Sequence, residues 1–352
     1  MNQRVQRIDF IEGLRGLAAF YVVLQHIASM LDPYQRLRQA TTPLAWALRP
    51  LWYGHLAVAS FIVLSGFCLQ WAQFKGSPDG ECTNVSVFFG RRCRRILPPY
   101  YACLAISLLT CVFVTQYQKG LPWQQYVPVT RESLGAHVFM IHNLSPDWMY
   151  KINGVLWSIA IEFQLYFTYP WLARAIRLRP WVSYALMGAA LLALAVALPA
   201  SAKLYPWYAV LFAVGIGAAR WAHLSQHTYK QWNWIALLLG GAAIGSLHIT
   251  KLLIVPDMLW GIGVAVLLVG LLQGGWAPLK ATLASKPLTK LGLFSYSLYL
   301  IHHPIIQVLT VNRPASIPLV LWLTVVGIPL ILGIAFGFFW IFEKPFMRAR
   351  GA

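Results

Sequence analysis

A histidine inside an apolar stretch is the first place in this chain where chemistry is available. His26 closes the run LRGLAAFYVVLQH (residues 14–26), which opens with Arg15. The two are eleven residues apart, close to three helical turns, so a helix puts them on one face about 16 Å apart along its axis. Ala19 and Val22, both small, lie between them on that face. A cation at the mouth of a groove and an imidazole well inside it could hold the charged end of a substrate and present its reactive end to a base or nucleophile. The plainer alternative is that Arg15 snorkels to lipid headgroups and His26 bonds a neighbouring helix.

Two further stretches carry polar stripes. WSIAIEFQLYF places Ser158, Glu162 and Tyr166 at i, i+4 and i+8 on one face of an otherwise apolar helix. Glu162 reads as the one acidic residue well inside an apolar stretch, and a purely structural glutamate there would need a buried cation. LGLFSYSLYLIHHP places Ser295, Tyr299 and His302 on one face, with His303 turned about 100° away, so the histidine doublet is not a chelating pair. A carboxylate on the far nitrogen of His26 would fix its tautomer, a role for which Glu162 is the candidate. Ser158, Tyr299 or His302 could give a hydrogen bond to a tetrahedral oxyanion. Tyr166 completes the stripe as a candidate acceptor contact.

FFGRRCRRILPPYY (88–101) gathers four arginines. Such clusters often anchor topology, yet Arg92 and Arg95, at i and i+3, could clamp a phosphate together. A ligand with phosphates at a membrane surface and a thin reactive arm fits both this cluster and the Arg15–His26 face, and coenzyme A is such a ligand. His223 and His227 have i, i+4 ligand spacing but lie in a short loop with no carboxylate near, so no metal is expected.

The elements that position these residues follow from composition. Of 352 residues 59% are hydrophobic and 11% charged, which defines an all-α polytopic membrane protein. Ten apolar stretches are long enough to span: 14–31, 51–72, 97–117, 155–173, 181–199, 205–222, 232–248, 255–273, 291–310 and 317–342. The first lacks a small-x-small cleavage site and is no signal peptide. Lys and Arg number 28 against 10 Asp and Glu, and their loops divide about two to one in favour of the N-terminal side, so both termini are expected in the cytoplasm. The +18 net charge therefore faces headgroups and cytosol, which excludes nucleic acid as the explanation. Five cysteines without C-x-x-C predict neither disulfides nor a cysteine metal site. The whole chain, 1–352, reads as one integral-membrane domain with no appended periplasmic domain. Its largest outer loop, 118–154, contains a short amphipathic piece, SLGAHVFMIHNL, and is large enough to cap a site.

The sequence resembles the acyltransferase family 3 membrane proteins. The resemblance runs from Arg7 to Pro345 through RIDFIEGLRGLAAFYVVLQH, FIVLSGF (61–67), RRCRRILPPYY, WSIAIEFQLYF, SYSLYLIHHP and FEKPF, in order. It implies O-acyl, commonly O-acetyl, transfer from cytoplasmic acyl-CoA to a hydroxyl of an extracytoplasmic glycan or glycolipid such as exopolysaccharide or O-antigen. It also implies a bacterial inner membrane and envelope-polysaccharide assembly proteins as partners. His26 becomes the catalytic residue, and Arg15, Arg92 and Arg95 become donor-binding or structural cations. Relatives often carry an acid just before the motif at 61–67, where this chain has Ala59. A transporter or a non-catalytic assembly scaffold is the rival reading. Paired half-repeats or broken helices would favour a transporter, and intact His26 and arginines argue against a scaffold.

Overall fold

The computed structural model describes residues 8–34, 36, 42–225 and 231–347, and among these it is helical without a strand. Each of the ten apolar stretches folds as a helix. They are α1 (Asp9–Leu31), α2 (Gly54–Gln73), α3 (Val85–Phe113), α5 (Leu156–Leu178), α6 (Pro180–Ala197), α7 (Tyr208–Leu224), α8 (Trp232–Ile249), α9 (Ile254–Leu272), α11 (Ser295–Val311) and α12 (Leu319–Met347). Shorter helices lie between them, among them α4 (Arg131–Val138) and α10 (Ala277–Leu283). Seven of the long helices are apolar and long enough to cross a membrane: α1, α2, α3 with its extension to Tyr117, α6, α8, α9 and α12. The chain is therefore an all-α, multi-pass membrane protein. The basic residues Arg4, Arg7, Arg38, Lys230, Arg348 and Arg350, counted toward the sidedness, lie outside the described residues, as does His227.

Several boundaries differ from the expected stretches, and two of the differences move charged residues onto a spanning helix. The third span was to start at residue 97, after the arginines, but α3 begins at Val85 and runs through both Pro98 and Pro99. A proline inside a helix removes one ladder donor without forcing the chain to stop, so the arginine cluster rides on the spanning helix itself. The last span continues beyond 342 to Met347 and contains two π segments, Trp322–Gly327 and Phe339–Glu343. The second places Glu343, 1% exposed, where Oε2 accepts from Ser297 N (3.2 Å) and Oγ (2.5 Å).

The chain divides into two compact units, each assembled from separated segments. The first takes residues 1–18, 55–89 and 164–291. In it α9 packs on α8 and α7. Gly66 of α2 and Gly215 of α7 let two backbones touch: a Cβ on Gly66 would sit 2.2 Å from Phe212 O, and one on Gly215 2.1 Å from Val63 O. The glycine of FIVLSGF is thus a close-packing residue. His55 Nδ1 lies 2.6 Å from Asp257 Oδ1, and Trp207 Nε1 donates to Oδ2 at 2.9 Å.

The second unit takes residues 19–54, 90–163 and 292–352. Asn153, fully buried, ties its loop to two helices by donating to Ser107 Oγ (2.9 Å) on α3 and to Leu300 O (3.4 Å) on α11. Tyr100 and Tyr101 of α3 donate to the carbonyls of His137 (2.7 Å) and Val138 (2.8 Å), which fastens α4 to α3 midway along the loop 118–154. Thr130 and Ser133 close a reciprocal capping box at the start of α4. All five cysteines are free.

Candidate active site

The imidazole at position 26 does not stand alone. His26 Nδ1 lies 2.9 Å from Val22 O, one turn back on α1, and 3.2 Å from His302 Nε2 of α11. His302 Nδ1 in turn lies 3.0 Å from Leu298 O. A carbonyl oxygen can only accept, so each Nδ1 carries a proton. His26 Nδ1–H then donates to Val22 O and shares the bond with His302 Nε2, a lone pair. Both tautomers follow from these partners, and His26 Nε2 is left as an unprotonated nitrogen, the form a base or nucleophile needs. His302 is fully buried whereas His26 is only half-buried, so the pair has one protected and one approachable ring.

His303, expected to point away from this site, does not leave it. Its ring centroid lies 5.2 Å from that of His26 at 84°, and the His302 ring lies 5.0 Å from His26 at 59°. Adjacent helical positions diverge by about 100°, but two imidazoles 6.3 Å apart flank the same third ring. Tyr126 of the loop 118–154 packs edge-on to His303 at 4.8 Å. Gly154 admits both: a Cβ there would lie 2.9 Å from Tyr126 Cε1 and 3.5 Å from His303 Nε2. Among the described residues no group of three His, Cys, Asp or Glu is arranged to hold a metal ion.

The polar stripe on α5 separates. Ser158 Oγ meets Tyr299 OH at 2.6 Å, both side chains buried, and Tyr299 stands 6.0 Å ring to ring from His302. Glu162 lies within electrostatic reach of the Tyr299 hydroxyl. Tyr166 belongs to the other unit, where its hydroxyl bonds Ser65 Oγ at 2.9 Å. Ser295 is buried on α11. The nitrogen of His26 for which Glu162 was the candidate partner is met by His302.

The cations separate too. Arg92 and Arg95 are half-buried on α3 while Arg91 and Arg94 are exposed, and the four line a cleft of about 170 Å³ with Phe346 and Met347. Arg15, in the first unit, faces Glu12 at 3.8 Å, a half-buried i, i+3 pair. A larger cleft of about 710 Å³ opens beside the loop 118–154 in the second unit, lined by Gln116, Gln124, Val127, Pro128 and Lys151 among others. Lys151 Nζ is steered there by Val127 O (2.8 Å) and Gln124 O (3.4 Å).

Several groups were not foreseen. Glu162, half-buried, is not the sole acid on a long helix: Asp257, inside the stretch 255–273, and Glu343, just past the stretch 317–342, are 0% and 1% exposed. His137 and His142 stack face to face at 3.8 Å inside the loop 118–154. Burial drives their pKa values down to about 4 and about 3, and for His142 the neighbouring His137 adds to the shift. The loop's amphipathic pattern was legible, but the stacking of two histidines five residues apart was not. His223 stacks on Phe74 at 3.9 Å.

Residues 8–344 match the acyltransferase 3 domain family, and the chain belongs to it. It is 27% identical over 333 residues to the acyltransferase MdmB of Streptomyces mycarofaciens, covering 87% of this chain and 81% of that protein. It is 24% identical over 170 residues to the peptidoglycan O-acetyltransferase OatA of Listeria monocytogenes, covering 46% of this chain and 24% of that longer protein. It is also 30% identical over 119 residues to protein 2 of the picA locus of Rhizobium radiobacter, covering 33% of this chain and 51% of that protein. No solved structure matches it. The chain is therefore an enzyme that transfers acyl groups, and its membrane character follows from its helices.

Proposed function

We propose that this protein is an O-acetyltransferase of a bacterial inner membrane, with both termini in the cytoplasm. It moves acetyl from cytoplasmic acetyl-CoA to a hydroxyl of an extracytoplasmic glycan or glycolipid, alongside envelope-polysaccharide assembly proteins. The observation that carries this reading is the His26–His302 bond, which leaves His26 Nε2 free as a base on a half-buried ring. His26 takes the proton of the acceptor hydroxyl, and His302 is the positioning residue that shares the charge on the resulting imidazolium. Glu162 acts one step further out, beside Tyr299.

Arg92 and Arg95 hold the donor's phosphates, which their shared half-buried face and cleft favour. The 710 Å³ cleft with its two glutamines and a lysine offers amide and ammonium hydrogen bonds suited to a polyhydroxylated acceptor. MdmB, an acyltransferase, supports acyl transfer, and OatA, a peptidoglycan O-acetyltransferase, supports a hydroxyl as acceptor.

Membrane vesicles of known orientation test the reading. With labelled acetyl-CoA on the cytoplasmic side, label should appear in an envelope saccharide on the opposite side, identified by mass spectrometry. Equal labelling with donor and acceptor both confined to the cytoplasmic side would replace it with one-sided transfer.

A further inference from the structure

Beside the His26–His302 bond lies a side chain with no work yet given to it. His303 is 1% exposed, yet neither of its ring nitrogens has a hydrogen-bond partner. Three other histidines of this unit turn Nδ1 back to the carbonyl four residues earlier: His26 to Val22, His302 to Leu298 and His137 to Ser133. His303 does not. Its ring stands edge-on between Tyr126 and His26, at 4.8 and 5.2 Å. A buried polar group without a partner forfeits the hydrogen bonds water would give it, so such groups are rare and call for a reason. A neutral imidazole has one N–H and one lone pair. Neither is committed within the protein here, so either nitrogen can present the proton toward whatever binds at His26.

We propose that His303 is a catalytic residue whose N–H donates to the acyl carbonyl oxygen of the thioester bound at His26, and so stabilises the oxyanion of the tetrahedral stage. The proposal rests on the acyl-transfer reading above and deepens it. The donors expected for this task from the sequence are engaged elsewhere. His302 gives its Nδ1–H to Leu298 O and offers His26 a lone pair. Ser158 Oγ donates to Val155 O at 3.2 Å, which leaves the Tyr299 proton for Ser158 Oγ at 2.6 Å. His303 holds the imidazole proton that is not so engaged.

Atoms and electrons balance without any further reactant. The acceptor hydroxyl oxygen forms a bond to the thioester carbon while its proton passes to His26 Nε2. The carbonyl π pair moves onto oxygen, where the His303 N–H holds it. The π bond then re-forms, the C–S bond breaks, and the leaving thiolate takes the proton back from His26. Ester and free thiol are the products, and both histidines return to their starting states.

The experiment uses the full-length protein in lipid nanodiscs with acetyl-CoA as donor and glycerol as hydroxyl acceptor. His303→Phe keeps an aromatic ring against Tyr126 and removes the donor, whereas His303→Gln restores an N–H that cannot titrate. With Phe, kcat should fall roughly 10²–10³-fold while KM for acetyl-CoA changes little and the melting temperature holds or rises, since a buried orphan is gone. With Gln, kcat should recover by about tenfold or more. A wild-type kcat in His303→Phe overturns the proposal, as does a Gln variant no better than Phe. Should His303→Phe fail to fold, His303→Gln decides alone: a kcat near wild type supports the donor role and a loss of about 100-fold overturns it. A wild-type protein that transfers no acetyl group at all overturns the acyl-CoA reading itself, and this proposal with it.

Discussion

The two units treat their charged and ionisable groups in opposite ways. In the first, opposites meet: His55 with Asp257, Arg177 with Glu81 (2.9 Å) and Asp79 (3.6 Å), Arg15 with Glu12. In the second, like gathers with like: His26 with His302 and His303, His137 with His142, and the arginines of 91–95 around one cleft. The contrast is sharpest between two bonded histidines. His55 Nδ1 rests on a buried carboxylate that Trp207 also engages, and Tyr208 OH donates to the His55 carbonyl at 3.3 Å. That network satisfies itself and needs no ligand. His26 Nδ1 rests on a neutral imidazole, and its neighbour His303 has unsatisfied nitrogens. Groups that repel or lack partners cost stability, and chains keep them where a ligand completes them. On the reading proposed above, this criterion marks the second unit as the one that carries the His26 site.

The largest effect should come from breaking the His26–His302 pair. His26→Ala should lower acetyl transfer by roughly 10²–10⁴-fold, with the melting temperature of the purified protein unchanged or higher. Transfer at the wild-type rate by a well-folded His26→Ala protein would end the mechanism. Breaking the His55–Asp257 pair should do the reverse. Asp257→Ala strands His55 and Trp207 and should cost about 3–5 kcal/mol of stability, read as a lower melting temperature in detergent. At temperatures where the variant remains folded its kcat should stay within a few-fold of wild type. A collapse of kcat without loss of stability would move Asp257 into the working site.

Hydropathy made the helices legible, because lipid leaves a spanning backbone few choices, and every apolar stretch became one. It also placed His26, Tyr299, His302 and Ser158 on helices. It could not pair them, because the His302–His26 bond joins residues 276 positions apart and depends on how α1 and α11 meet. Glu162 was the natural partner by charge, yet a neutral ring fills that place. Asp257 and Glu343 were missed because each stands near a helix end, Asp257 in the first turn of the helix at 254–272 and Glu343 just past the apolar stretch 317–342. The arginine cluster was legible as chemistry but misplaced, since Pro98 and Pro99 read as a helix start and are helix interior.

The stacked loop pair offers a milder perturbation of the same contrast, by pH. His137 and His142 have folded pKa values lowered to about 4 and about 3 by burial, against about 6.5 in an unfolded chain. The unfolded loop therefore binds more protons between these limits, and stability rises with pH there. The contribution is fully present above about 6.5 and is lost as pH falls toward about 4, each tenfold difference in proton affinity between the two states being worth about 1.4 kcal/mol. Hydrogen exchange in residues 131–144 should accelerate as pH is lowered from about 6.5 to about 4, after correction for intrinsic rates. His142→Phe should abolish most of that dependence. An unchanged pH profile in the variant would show that the stacked pair does not govern the loop.

The smallest effect concerns the arginines, where the contrast predicts a difference in kind. Arg177 already has carboxylate partners, so Arg177→Ala should weaken the fold and leave donor affinity alone. Arg92 and Arg95 share a half-buried face of α3 beside a cleft, and in the functional reading the donor's phosphates supply their counter-charge. A charge-assisted hydrogen bond is worth about 1.5–3 kcal/mol, so Arg92→Ala or Arg95→Ala should raise KM for acetyl-CoA by roughly 10- to 100-fold. The chemical step at His26 should be spared, so kcat at saturating donor should change little. The exposed pair supplies the control: Arg91→Ala and Arg94→Ala should shift KM by less than about 1 kcal/mol, the range of a solvent-screened surface charge. Calorimetry with free coenzyme A separates binding from turnover. Equal affinity across all four alanine variants would make the cluster a topology anchor, and the like-with-like grouping on α3 would then have no ligand to explain it.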